Sequence, residues 1–176
     1  MTDEKKEPWL NWLALTTVIL AVCATLSTFK GSSYSTRSVI SQSRAADQWA
    51  YYQAKSIKGY LYEIQKDELE LGRADGAVRG APSEVEGRLA AYRDRIARYE
   101  KEKAEIQNQA RRFEAARDDA QRHSQTFGVA VIYLQIAILL SSVAALLRKQ
   151  PVWYLGLLPG VIGAAYFVYG FFVLPR

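Results

Sequence analysis

Cysteine and histidine occur once each, as Cys23 and His123. One thiol cannot close a disulfide within the chain, so cysteine usage carries no information about redox compartment. One imidazole and one thiol nearly exclude a His/Cys metal site built from a single chain. A glycine-rich phosphate loop, a zinc-ligand spacing and a nucleophile–base pair are also missing. The sequence is therefore read as that of a non-enzyme, with no catalytic residue, no metal and no cofactor. His123 has no partner residue nearby in sequence and reads as a polar interface residue rather than a general base.

Charge is the next absence, and it is local. Trp9 to Phe29, Thr126 to Leu147 and Val152 to Leu174 are runs of 21, 22 and 23 residues without a charged side chain. A hydrocarbon core of ~30 Å needs about 20 apolar residues of helix. Backbone amides in lipid must be satisfied within their own segment, so each run is expected to be a transmembrane helix. Trp9, Trp12, Trp153 and Tyr154 stand at run ends, where amphipathic rings prefer the headgroup level. The first run is too long for a signal-peptide core, and Ser27-Thr-Phe-Lys30 is a poor cleavage site. A lipid bilayer is thus the first expected partner.

Small residues recur at helical spacing within the runs: Thr17, Ala21 and Thr25; Ala137, Ser141 and Ala145; Gly156, Gly160 and Ala164. Such faces let membrane helices approach closely, within or between protomers. Gln135 is the most polar residue of the second run. It suits an interhelical hydrogen bond, or a pore lining together with Thr16, Thr25 or Ser142. Pro159 lies inside the third run, removes a backbone donor and is expected to kink the helix.

The ions are concentrated between Lys30 and Arg122, with 18 Lys+Arg and 15 Asp+Glu. From Val85 a stripe with alternating steps of four and three runs through Leu89, Tyr92, Ile96, Tyr99, Lys103, Ile106, Ala110, Phe113, Arg117 and Ala120. It continues through Ser124, Phe127, Val131, Leu134 and Ile138 into the second run. This is a heptad pattern with Lys103 and Arg117 as basic interruptions, and it predicts one helix from tip to membrane. A weaker stripe precedes it: Ile40, Ser43, Asp47, Ala50, Ala54, Ile57, Leu61, Ile64, Glu68 and Leu71. Three glycines and a proline between the stripes break the helix, and Ser83 is the expected N-cap of the returning arm. Gly31-Ser32-Ser33 is expected to bend or fray the base of the first arm.

The expected architecture is an all-α membrane protein: three transmembrane helices with a long antiparallel coiled-coil hairpin between the first and second. Its parts are a tail at 1–8, spans at 9–29, 126–147 and 152–174, a hairpin at 30–125 with its tip at 72–84, and a short loop at 148–151. A second stripe on the first arm, Trp49, Tyr52 and Tyr60 with Tyr51 and Tyr62 nearby, is left over once the arms pair. A lone hairpin has little core. The leftover stripe therefore predicts a homo-oligomer, with Trp49, Tyr51, Tyr52, Lys55 and Tyr60 as the contact residues and a protein partner at the hairpin. Nucleic acid is not expected, because Glu63 to Glu70 adds acid beside the basic aromatic segment.

The segment Asp47-Gln-Trp-Ala-Tyr-Tyr-Gln-Ala-Lys-Ser-Ile-Lys58, taken with Trp9-Leu-Asn-Trp-Leu-Ala-Leu-Thr-Thr17, resembles a family of uncharacterised bacterial inner-membrane proteins. Members look like one N-terminal span, this aromatic segment, a charged coil and two C-terminal spans. The resemblance implies a bacterial cytoplasmic (inner) membrane location and supplies no catalytic residues. Charges near the span ends (Lys30, Arg37, Arg44, Arg112, Arg117, Arg122 and Arg176 against Lys5, Lys6, Arg148 and Lys149) place the hairpin in the cytoplasm. The short Arg148-Lys149-Gln150 loop taken alone places it outside. The fuller count is preferred. The functional expectation is an oligomeric membrane scaffold or adaptor, and the alternative is an oligomeric channel or transport component lined by the spans.

Overall fold

The computed structural model describes residues 8–76 and 81–173. They form three helices: α1 (Pro8–Ala74), α2 (Pro82–Leu147) and α3 (Gln150–Val168), the last continued by a π-helical turn at Tyr169–Val173. All three are long and apolar enough to cross a membrane by length and composition. Leu174, the expected end of the third run, lies outside the described residues.

Two local expectations, fraying at Gly31-Ser32-Ser33 and an N-cap at Ser83, are corrected. Gly31-Ser32-Ser33 does not interrupt α1. Gly31 serves close approach instead: a Cβ there would stand 3.2 Å from Phe127 Cβ, and the Gly31 carbonyl accepts the Ser124 hydroxyl at 3.1 Å. Ser83 is not the N-cap of α2. The helix already begins at Pro82, and the amides of Glu84 and Val85 donate to the Ala81 carbonyl. Proline suits the first helical position because its missing N–H has no partner there in any case.

The chain divides into two compact units, one formed by the described residues of Met1–Val39 and Asp118–Arg176, the other by Ile40–Arg117. In the first unit α1, α2 and α3 pack through small residues. Leu20 and Ala24 meet Leu134 and Ala137 in one cluster, and Leu13, Ala144 and Trp153 form another. The Trp153 indole N–H donates to Thr16 Oγ1 at 3.3 Å. Trp153 is thus buried against Trp9 rather than turned outward, whereas Trp12 and Tyr154 are exposed as interfacial rings would be. Pro159 lies within α3 without ending it.

Along α3 and its π-helical continuation the residues Gly156, Gly160, Gly163 and Gly170 are all buried. Their backbones take the place of side chains against α2. At Gly163 a Cβ would stand 2.8 Å from Leu134 Cγ and 2.9 Å from the Leu134 amide nitrogen. At the other end of this unit Phe127, only 1% exposed, packs between Tyr34 and Phe171. His123, 2% exposed, stacks on Tyr34 with centroids 4.5 Å apart. Its Nδ1 lies 2.9 Å from the Asp119 carbonyl. A carbonyl oxygen only accepts, so Nδ1 carries the proton.

In the second unit α1 and α2 run antiparallel, as cross-pairs show: Trp49 with Glu114, Lys55 with Glu102, Arg93 with Glu70 and Arg73 with Glu86. Every α2 stripe position from Val85 to Ile138 is buried or half-buried. The α1 stripe is a correction. Ile40, Ser43, Asp47, Ala50, Ala54, Ile57, Leu61, Ile64, Glu68 and Leu71 are all exposed. The face of α1 turned to α2 carries Ser41, Ala45, Trp49, Tyr52, Gly59 and Tyr62 instead. On this face Gly59 admits Tyr99, whose Cβ would lie 3.8 Å from an added Cβ, and the rings of Tyr52 and Tyr62 flank it against Lys103 and Tyr99. Close packing rewards this match of small against large.

Gly87 is different, because nothing lies within 4 Å of the Cβ it lacks. It costs helix entropy without serving a contact. Gly87→Ala should stabilise the hairpin by about 0.8 kcal/mol, the alanine–glycine difference in a helix interior. A higher thermal midpoint by circular dichroism at unchanged helicity checks this, and an unchanged or lower midpoint would contradict it.

Candidate functional site

The aromatic and basic segment of α1 closes on α2 as an ionic and aromatic seam, with a groove of about 340 Å³ at its end between Lys58, Leu61, Tyr62, Gln65 and Tyr99. Trp49 donates its indole N–H to Glu114 Oε1 at 2.8 Å and meets Tyr52 edge-on at 5.6 Å. Lys55 Nζ lies 2.6 Å from Glu102, which also accepts Arg98 Nε at 2.8 Å. The same ammonium stands over the rings of Tyr51 and Tyr99, at 5.4 and 5.3 Å. Lys103, a basic interruption in the sequence pattern, is 9% exposed. Its ammonium bonds Glu100 at 2.6 Å and stands over Tyr52 and Tyr60. The rings therefore hold buried cations by their π faces.

Of the five residues expected to contact a partner, Trp49, Tyr52 and Lys55 are spent on α2. Tyr51 and Tyr60 remain exposed, each offering a ring beside a lysine. Asp47 is also exposed, and Arg44 stands over Phe113 rather than on the segment itself.

These bonds shift protonation in a readable direction. The Lys55 hydrogen bond, followed by that of Arg98, holds the Glu102 carboxyl below its ordinary 4.5. The bond to Glu102 holds Lys55 above its ordinary 10.5, and the bond to Glu100 does the same for Lys103. A depressed carboxyl contributes stability above its unfolded pKa and loses it as pH falls through the folded value. A raised lysine contributes below its unfolded pKa and loses it as pH rises through the folded value. The seam should therefore be insensitive between pH 4.5 and 10.5 and weaken outside that window. Glu102→Gln should lower the thermal midpoint at neutral pH and flatten its fall below pH 4.5. An acid limb as steep as in the parent would contradict this.

In the first unit, Thr17 and Ala21 are half-buried and Thr25 is exposed, so the packing face of α1 lies to one side of them, at Leu20, Ala24 and Ser27. Ser141, Gly156 and Gly160 are buried, and they pack within the chain: a Cβ on Gly156 would meet Leu140 at 3.0 Å and the Ser141 amide nitrogen at 3.5 Å. Gln135 is exposed on α2, and its amide bonds no described residue. Three hydroxyls that could line a polar path are engaged by their own helices: Thr16 bonds the Leu13 carbonyl, Thr25 that of Ala21, and Ser142 that of Ile138.

Several structural residues escaped sequence reading. Gly163 and Gly170 continue the Gly156 and Gly160 pair that the sequence did mark, at spacings that a search for large apolar residues overlooks. The Tyr34–His123–Phe127 stack joins residues about 90 positions apart, and nothing local marks it. Among the described residues no three His, Cys, Asp or Glu side chains converge as metal ligands.

Neither the curated proteins compared with this chain nor any solved structure matches it. A family model described as a domain of unknown function (DUF4337) matches residues 9–173, nearly the whole chain. The chain with this small-residue helix packing and ionic seam belongs to the DUF4337 family.

Proposed function

We propose that the protein is a self-associating scaffold of the bacterial inner membrane, its three apolar helices in the bilayer and its coiled-coil hairpin in the cytoplasm. The observation that carries this reading is the outer face of α1. Ile57, Leu61 and Leu71 are 61%, 54% and 65% exposed, at heptad spacing with Ile40 and Ile64. A sustained apolar stripe on a helix whose other face is already packed suits another helix. A second copy of the chain is the simplest source of one.

Gln135 adds support from within the bilayer. An amide facing hydrocarbon without a partner costs several kcal/mol. A neighbouring protomer can supply the partner, and polar side chains commonly join membrane helices in this way. Three hydroxyls that would have to line a channel, those of Thr16, Thr25 and Ser142, are instead satisfied within their own helices. The apolar runs carry no Asp, Glu, Lys, Arg or His, the side chains that usually mark an ion path, which further favours a scaffold.

Native mass spectrometry of the full chain, released from detergent over a wide concentration range, tests the reading. A defined oligomer that persists on dilution is expected. A monomer at every concentration would overturn it.

A further inference from the structure

A groove of about 430 Å³ opens in the first unit between α2 and the end of α3. Asp119, Arg122, Gln125 and Val129 line it from α2, and Tyr166 and Tyr169 from the other side. Its chemistry is graded along α2. Val129 lies inside the apolar run that begins at Thr126, and Tyr166, stacked on Tyr133 at 6.3 Å, continues the apolar wall. Arg122 lies one turn outside that run, and Asp119 about 4.5 Å further along the axis by the helical rise.

The polar groups are available. The Arg122 guanidinium and the Gln125 amide bond no described residue. The Arg122 carbonyl is already taken by the Thr126 hydroxyl. The Asp119 backbone carbonyl takes the His123 ring, and its carboxylate lies 3.8 Å from that ring and remains half exposed.

We propose that this groove binds the headgroup of a phospholipid that carries both a phosphate and a primary ammonium; the proposal rests on the membrane reading above. Arg122 and Gln125 donate to the phosphate, at the level where a bilayer has its phosphates. Asp119, one turn further from the apolar run, accepts the ammonium N–H groups. Val129 and Tyr166 lie along the first part of an acyl chain. Basic groups between spans recognise lipid phosphate in this way. The acid one turn outward is what selects an amine-bearing headgroup over a purely anionic one.

The test is native mass spectrometry of the full chain in detergent micelles doped separately with phosphatidylethanolamine, phosphatidylcholine or phosphatidylglycerol. Retention of phosphatidylethanolamine about tenfold above the other two is expected, as one charge-assisted hydrogen bond supplies. Arg122→Gln should lower retention of all three. Asp119→Asn should remove only the preference for the primary amine, and both substitutions are at the surface. Equal retention of the three lipids, or parent-like retention by Arg122→Gln, would overturn the proposal. Glycerophosphoethanolamine at the same concentration distinguishes the source: no displacement supports a lipid, and full displacement points to a soluble phosphoamine and overturns the lipid assignment. If carbonate washing strips the protein from membranes, the membrane reading itself fails. If the protein stays inserted yet shows no lipid preference, only the groove proposal fails.

Discussion

Gly163→Val should detach α3 from α2. The Cβ of any substituent would stand 2.8 Å from Leu134 Cγ, 2.9 Å from the Leu134 amide nitrogen and 3.1 Å from the Ala130 carbonyl oxygen. Two of these neighbours are backbone, so no rotamer change relieves them. The helices must separate, and the contacts of Gly156 and Gly160 are strained along with it. Overpacking a close-fitting contact costs about 1–3 kcal/mol, and a branched side chain against backbone lies at the upper end. In the bilayer proposed above, no hydrophobic drive would hold the helices together, because lipid tails are as apolar as the side chains that separate. Protease cleavage in the Arg148–Gln150 loop, compared between parent and variant in micelles, checks this. Faster cleavage in the variant is expected, and parent-like resistance would contradict it. Gly128→Ala is the matched control, since nothing lies within 4 Å of that position.

The second large effect concerns the outer stripe of α1. Ile57→Glu combined with Leu61→Glu should abolish self-association while leaving the fold of each chain intact. Both side chains are exposed within the chain, so substitution opens no cavity. In the proposed assembly each copy enters the same bilayer in the same sense. Like residues of α1 then face one another, and two glutamates place like charges across the contact. Burying each aliphatic side chain contributes roughly 1.5–3 kcal/mol. Losing two of them and adding repulsion should weaken the oligomer by at least about a hundredfold, since 1.4 kcal/mol is a factor of ten. Ala104→Glu, on an exposed position of α2, should have no such effect. Sedimentation in density-matched detergent reads the difference; an oligomer unaltered by the double substitution would contradict the account.

Large apolar residues announce themselves in sequence, and small ones do not. The α2 stripe was legible from Val85 to Ile138 because its bulky members recur at heptad spacing, and every position proves buried or half-buried. On α1 the same logic selected the wrong face. Its aliphatic heptad looks like a seam, yet the true seam is Ser41, Ala45 and Gly59 with Trp49, Tyr52 and Tyr62. Serine, alanine and glycine carry no hydrophobic signal, and their role appears only once bulky residues face them. Gly31 stays helical for a related reason. Glycine weakens an isolated helix, but contact with Phe127 and Ser124 overrides that propensity. The ion pair of Lys55 with Glu102 depends on which residues pairing brings opposite, 47 positions away.

Trp49 and Tyr52 are consumed within the hairpin, and Ile57, Leu61 and Leu71 on the outer face of α1 are exposed instead. Cysteine cross-linking in native membranes addresses that face directly. With Cys23→Ala removing the one native thiol, Leu61→Cys should give a disulfide-linked dimer under mild oxidation, and Ala104→Cys should not. A Leu61→Cys chain that stays monomeric, or an Ala104→Cys chain that cross-links equally well, would contradict self-association through the outer stripe of α1.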